Sequence, residues 1–407
     1  MGNDLPLSTK NKLLHLEGLR GVAALIVVFC HFKNAFAPRA DIWWLQKVEH
    51  WTGSMLLSDI AQSFLNVFFD GFLAVYVFYF MSAYVISIKL YNKEKSRNYL
   101  ISASTKRYFR LAIPVLGSVL FAFMLMKLGF MYNKNPNVLF YNGTYNEWLG
   151  SFYLFDPNFL GALKNALWDS FFNYKTSTSY NPVLWTMNPE LYGSMFCFLL
   201  FALFGKNRFR YYIYGACIIV FSYLFELWMV TFILGLWFCD MNYGKNKRTQ
   251  LVLDRLEKVF SNRYWISSIL AIVLFYLAGK PNFFGVTDAF LSPLIVILIM
   301  HTAYLKRFFS WKPFIWLGKV SFGLYLVHLP IILSFSSFLF IQLNVPPVSK
   351  LLILFLSTTL LSLIVAHLFT FSFDRWGIIL SNKMGRFFLK LFKSKKDTLQ
   401  AQVTEKQ

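Results

Sequence analysis

The chain has 407 residues, of which 57% are hydrophobic, 20% aromatic and only 14% charged. That balance excludes a soluble globular domain, and several apolar runs reach the roughly 20 residues a membrane-spanning helix needs. The formal charge of +21 would suit nucleic acid, but the basic residues flank apolar runs, so membrane topology and anionic lipid explain them better and no nucleic-acid partner is expected.

The predicted fold class is an all-α integral membrane bundle of about ten transmembrane helices with both termini cytoplasmic. The spans read as 18–36, 68–90, 111–131, 189–205, 211–225, 227–240, 264–279, 287–304, 319–341 and 350–372. Arg20 and His31 interrupt the first span and no small-residue cleavage site follows it, so it is expected to stay in the mature protein. Basic residues crowd the loops after the second, fourth, sixth and eighth spans, from Lys93, Lys95 and Arg97 to Lys306, Arg307 and Lys312. The alternate loops carry few, such as Lys33, Arg39 and Lys47. The positive-inside rule assigns the crowded side to the cytoplasm. Residues 211–240 are short for two spans, and a hinge near Glu226 keeps the charge pattern intact. All four cysteines lie in apolar segments, so structural disulfides are not expected.

Residues 132–184 form a long non-cytoplasmic segment rich in aromatics, including Trp148, Trp168 and Tyr180, with Asn137, Asn142, Asn146 and Asn173 interspersed. Aromatic faces with amide partners suit a sugar, and equally an interfacial helix anchored at headgroups. The domain reading is a single transmembrane unit over 1–375 and a basic cytoplasmic tail over 376–407.

Four clusters carry candidate chemistry. Arg20 and His31 are eleven residues apart, which brings them onto one helix face, separated by about 16 Å along the axis. A histidine at that depth faces a wet cavity or bonds to a neighbouring helix without chemistry. In Lys106-Arg107-Tyr108-Phe109-Arg110 the two arginines share a helix side, as a phosphate clamp or a topology anchor. In Trp185-Thr186-Met187-Asn188-Pro189-Glu190, Asn188 reads as an N-cap with Pro189 after it, leaving Glu190 in the first turn. Ser321, Tyr325 and His328 stack on one face of an otherwise apolar helix, as helix glue or a cavity lining.

Together these motifs resemble acyltransferase family 3. The resemblance rests on Gly18-Leu19-Arg20-Gly21 followed by His31, on Arg107 and Arg110, on Trp185-Thr186-Met187 with Glu190, and on Ser321, Tyr325, Leu326 and His328. Val77-Phe78-Tyr79-Phe80-Met81-Ser82-Ala83-Tyr84 is similar to the family's phenylalanine-rich second span, with Ala83 where glycine is preferred. Phe373-Asp374-Arg375 stands where the last span usually ends in Glu. The resemblance covers about residues 13–375.

It implies a multi-pass cell (inner) membrane O-acyltransferase that uses cytoplasmic acyl-CoA, with acetyl-CoA expected, and decorates a cell-surface or lipid-linked glycan. The donor is a substrate, so no permanently bound cofactor and no metal are expected. Partners would be the donor, the glycan, the bilayer and separate glycan-assembly proteins, since no extracytoplasmic hydrolase-type domain is seen in the chain. His31 is the candidate base for the acceptor hydroxyl. Arg20 would touch the donor along its path, and Arg107 and Arg110 would hold its phosphates. Glu190 would orient acceptor or His31, and the Tyr325 hydroxyl would stabilise an oxyanion. Trp185, Ser82, Ser321 and His328 are candidate substrate contacts. A secondary transporter of lipid-linked sugar or organic anion is the rival reading. Thioester cleavage separates the two.

Overall fold

The computed structural model describes residues 13–37, 55–92, 97–141, 144–244, 246–280 and 285–404. Lys93, Lys95, Arg39, Lys47 and Asn142, named above, lie outside them. The long helices are α1 (Leu14–Phe36), α2 (Met55–Val67), α3 (Gly71–Asn92), α4 (Arg97–Lys127), α5 (Met187–Phe204), α6 (Arg210–Tyr223) and α7 (Leu227–Tyr243). They continue with α8 (Lys247–Asn262), α9 (Tyr264–Ala278), α10 (Val286–His301), α11 (Ala303–Phe309), α12 (Lys312–Ile331), α13 (Pro347–Phe369) and α14 (Arg375–Thr404). Among the described residues the only β-structure is a two-residue antiparallel pair, Phe140–Tyr141 against Thr144–Tyr145.

Each expected span overlaps a helix, but length divides them. Six helical stretches are long and apolar enough to cross a bilayer, and the number rises to eight if each of two bent helix pairs is one span. Those pairs, α8 with α9 and α10 with α11, bend by 97° and 99°. Helix α6 has 14 residues and α9 has 15, a rise of only about 21–23 Å against roughly 30 Å of hydrocarbon. The break between α6 and α7 falls at Leu224–Glu226, as expected, with Phe225 at φ 58°. At the other end, α13, a π-turn over Thr370–Asp374 and α14 form one continuous helical run. Residue 376, the expected start of the tail, lies inside that run, and α14 packs along α4 with Gly377 against Pro114 and Gly385 against Lys106.

Helix α1 packs closely against α12 and the end of α11. A Cβ on Gly18 would overlap the Phe309 carbonyl, one on Gly21 would crowd Leu317 and Gly318, and one on Gly318 would overlap the Glu17 carbonyl. Bare backbones let the helices touch at this end, the small-residue packing that membrane helices use where water supplies no drive. Ala83, the departure from the family pattern, is fully buried and faces Gly235 on α7, which yields the space its methyl occupies. Gly318→Ala should therefore push α12 off α1 and lower stability by about 1–3 kcal/mol. Thermal unfolding of the detergent-solubilised protein measures this, and an unchanged midpoint would refute the seam.

The aromatic segment is neither a loose loop nor a flat surface helix. Asn135, Asn146 and Asn158 cap short helical turns with their side chains. Phe159 packs on Phe123 of α4, and Tyr108 packs on Phe171 and donates to the Leu167 carbonyl. Tyr180 then returns to Phe123. Residues 159–180 thus form a hairpin laid along fifteen residues of α4, about 22 Å. Irregular backbone is tolerated beside a span when protein buries its polar groups.

Candidate active site

The glycine seam sets the first half of the site. It presses α12 onto α1 so that His31 Nδ1 lies 2.8 Å from His328 Nε2. His328 is fully buried and its Nδ1 is 3.0 Å from the Leu324 carbonyl oxygen. A carbonyl only accepts, so in the neutral pair His328 Nδ1 carries its proton and Nε2 accepts from His31 Nδ1–H. The lone pair of His31 is then on Nε2, and no hydrogen bond to it is present among the described residues. Trp148 stacks on His31 at 5.7 Å between ring centroids, with 20° between planes.

The second half is a cavity of about 580 Å³ between α1, α3, α4, α5, α12 and α14, a size that suits a small-molecule ligand. Its lining holds five basic side chains, Arg20, Lys89, Lys106, Arg107 and Arg110, against one carboxylate, Glu190. Arg107 pairs with Glu190, donates to Ser82 at 2.6 Å and reaches Ser194 at 2.9 Å, while Ser82 donates to Glu190 at 2.6 Å. Arg110 pairs with Asp374 at the π-turn that joins α13 to α14. No described residue hydrogen-bonds the Arg20 guanidinium, which opens into this cavity. A basic, partly enclosed chamber of this kind concentrates an anionic ligand.

The sequence candidates therefore fall into three places. Arg20, Ser82, Arg107, Arg110, Glu190, Ser321 and Tyr325 line the cavity together. His31 and His328 form the adjoining pair, with the Tyr325 and His328 rings 6.0 Å apart. Trp185 is outside both, 37% exposed and packed on Phe72, while Thr186 and Met187 beside it reach the cavity. Within the cavity several side chains are already engaged. Glu190 meets Arg107 and Ser82 rather than His31, and Ser321 donates to the Gly318 carbonyl of its own helix. The Tyr325 hydroxyl donates 2.8 Å to the Val183 carbonyl and lies 2.7 Å from the Thr186 hydroxyl. Asn188 is not the cap expected of it. A 3₁₀ turn over Pro182–Thr186 feeds α5 directly, and the Asn188 amide donates to the Phe171 carbonyl at 2.7 Å.

Sequence reasoning missed several members. Lys89, Tyr99, Ile378, Ser381 and Asn382 line the cavity, and the last three belong to the stretch read as tail. The basic run after the second span was the available signal for Lys89. Nothing local marked residues 378–382, because their contact is across the fold.

The sequence matches the model of acyltransferase 3, described as an acyltransferase domain, over residues 13–367. The chain belongs to the acyltransferase 3 family. It carries an acyltransferase domain with several apolar helices, its Arg20, Arg107 and Arg110 line one cavity, and its His31 belongs to the adjoining histidine pair. The chain is also similar to the peptidoglycan O-acetyltransferase OatA of Listeria monocytogenes, 27% identical over 299 residues. That match covers 64% of this chain and 45% of the relative, so the chain spans less than half the length of that protein. No solved structure matches the chain.

Proposed function

We propose that the protein transfers an acetyl group from acetyl-CoA to a hydroxyl of a cell-surface or lipid-linked glycan, in the cell (inner) membrane. The observation that carries this reading is a basic cavity abutting a histidine pair whose hydrogen-bond order leaves one imidazole nitrogen free to take a proton. The donor enters from the cytoplasmic side, with its phosphates at Lys106, Arg107 and Arg110 and its pantetheine arm passing Arg20 towards His31. In this topology about ten segments cross or enter the bilayer and both termini are cytoplasmic, consistent with the clustered basic loops.

The acceptor O–H gives its proton to His31 Nε2 as its oxygen attacks the thioester carbonyl. The tetrahedral intermediate collapses with cleavage of the C–S bond, and the imidazolium returns the proton to the departing CoA sulfur. His328 orients His31 through the Nδ1 bond, a positioning role, rather than touching substrate. Glu190 holds Arg107 in place, and Tyr325 shapes the wall through the 183–186 turn. Separate glycan-assembly proteins present the acceptor.

Purified protein in liposomes, given acetyl-CoA carrying a labelled acetyl group and glycan fragments released from the host cell wall, tests this. Free thiol should appear only when glycan is present, with label on the glycan in equal amount. Glycan movement without thiol release would replace the reading by a transporter.

A further inference from the structure

We infer that Trp148 is the platform that seats the acceptor sugar beside His31, and that Asn146 is the positioning residue that holds it there. This rests on the acyl-transfer reading above and adds where the second substrate binds.

Two substrates must reach one base from different sides. The cavity lining includes Arg20, Ser321 and Tyr325 but neither histidine. His31 lies eleven residues beyond Arg20 on α1, about 16 Å farther from the basic mouth. At that end the aromatic group meeting the imidazole is Trp148, stacked at 5.7 Å, while His31 keeps part of its surface exposed. The indole, part-exposed and perpendicular to Phe152 at 4.9 Å between ring centroids, is an uncharged aromatic surface. Such a face accepts the C–H side of a pyranose and gives an anionic nucleotide nothing to bind.

The anchoring supports a built site. The Asn146 side chain accepts from the Leu149 amide at 3.0 Å and donates to the Asn34 and Ala35 carbonyls at 3.0 and 2.9 Å. Both carbonyls belong to the turn of α1 that follows His31. From the other side Asn133, fully buried, donates its amide to the Leu149 carbonyl at 3.0 Å. Its backbone N–H goes to the Leu333 carbonyl at 3.1 Å, in the π-turn that follows α12. The Trp148 turn is thus tied to the backbones of both histidine helices. A tryptophan that only floats at headgroups needs neither tie. Trp168, by contrast, is 57% exposed, and its ring meets Phe172 at 4.6 Å, tilted by 40°.

The experiment compares full-length wild type, Trp148→Ala, Trp148→Phe, Asn146→Ala and Trp168→Ala in liposomes, with host cell-wall glycan fragments as acceptor. Trp148→Ala should raise the acceptor KM about tenfold or more while acetyl-CoA affinity stays within about twofold. Trp148→Phe should recover most of the loss, because a ring remains. Asn146→Ala should raise the same KM, and the double variant should be no worse than Trp148→Ala alone. Trp168→Ala should change neither constant. An unchanged acceptor KM in Trp148→Ala, or a parallel fall in donor affinity, overturns the inference. If wild type itself transfers nothing to glycan, the acyl-transfer reading is what fails.

Discussion

Replacing His31 with glutamine should lower transfer by about 10²–10⁴-fold, the range typical of losing general acid–base help. Glutamine can still donate to His328 Nε2, so the bond that closes α1 onto α12 has a replacement. What it cannot do is take the acceptor's proton. Donor affinity should stay near wild type, since the basic lining from Arg20 to Lys106 is untouched. Steady-state transfer in liposomes, with acetyl-CoA binding measured in parallel, separates the two. Near-normal turnover of His31→Gln would remove His31 as the base.

His328→Leu should be the next most damaging change, although this side chain is fully buried and never meets substrate in the proposed scheme. It removes the acceptor for His31 Nδ1–H, so the ring loses both its orientation and its tautomer preference. Loss of a comparable orienting partner in a serine-protease triad costs about 10⁴-fold, and a loss of about 10²-fold or more is expected here. Stability should fall by about 1–3 kcal/mol, because a buried donor is left unpaired. Residues acting as one unit are strongly non-additive. The double variant with His31→Gln should therefore be little slower than His31→Gln alone. Multiplying losses would show that His328 works independently of His31.

The reason for the family's paired glycines became physical only in three dimensions. Gly18 and Gly21 are read in sequence as part of a motif around Arg20. In the structure they are where α12 and α11 press against α1, and the histidine contact depends on that approach. The Arg107 and Arg110 pair shows the converse. Their spacing puts both on one helix side, and the structure shows both lining one cavity, yet their ion partners, Glu190 and Asp374, lie 83 and 264 residues away. No local pattern distinguishes a guanidinium waiting for phosphate from one already held by a carboxylate.

Hydropathy and charge spacing alone determined that the chain is a helical membrane protein, where its apolar segments lie and which face of α1 carries Arg20 and His31. They did so because a helix repeats every 3.6 residues and lipid tolerates few charges, both local constraints. Tertiary structure decided what each polar group meets. It chose Trp148 over Trp168 as the ring on His31, laid residues 159–180 along α4, and turned part of the expected tail into a cavity wall. Those outcomes depend on which backbones can approach and which buried donors find acceptors across the bundle, and neither is written in the spacing of one segment.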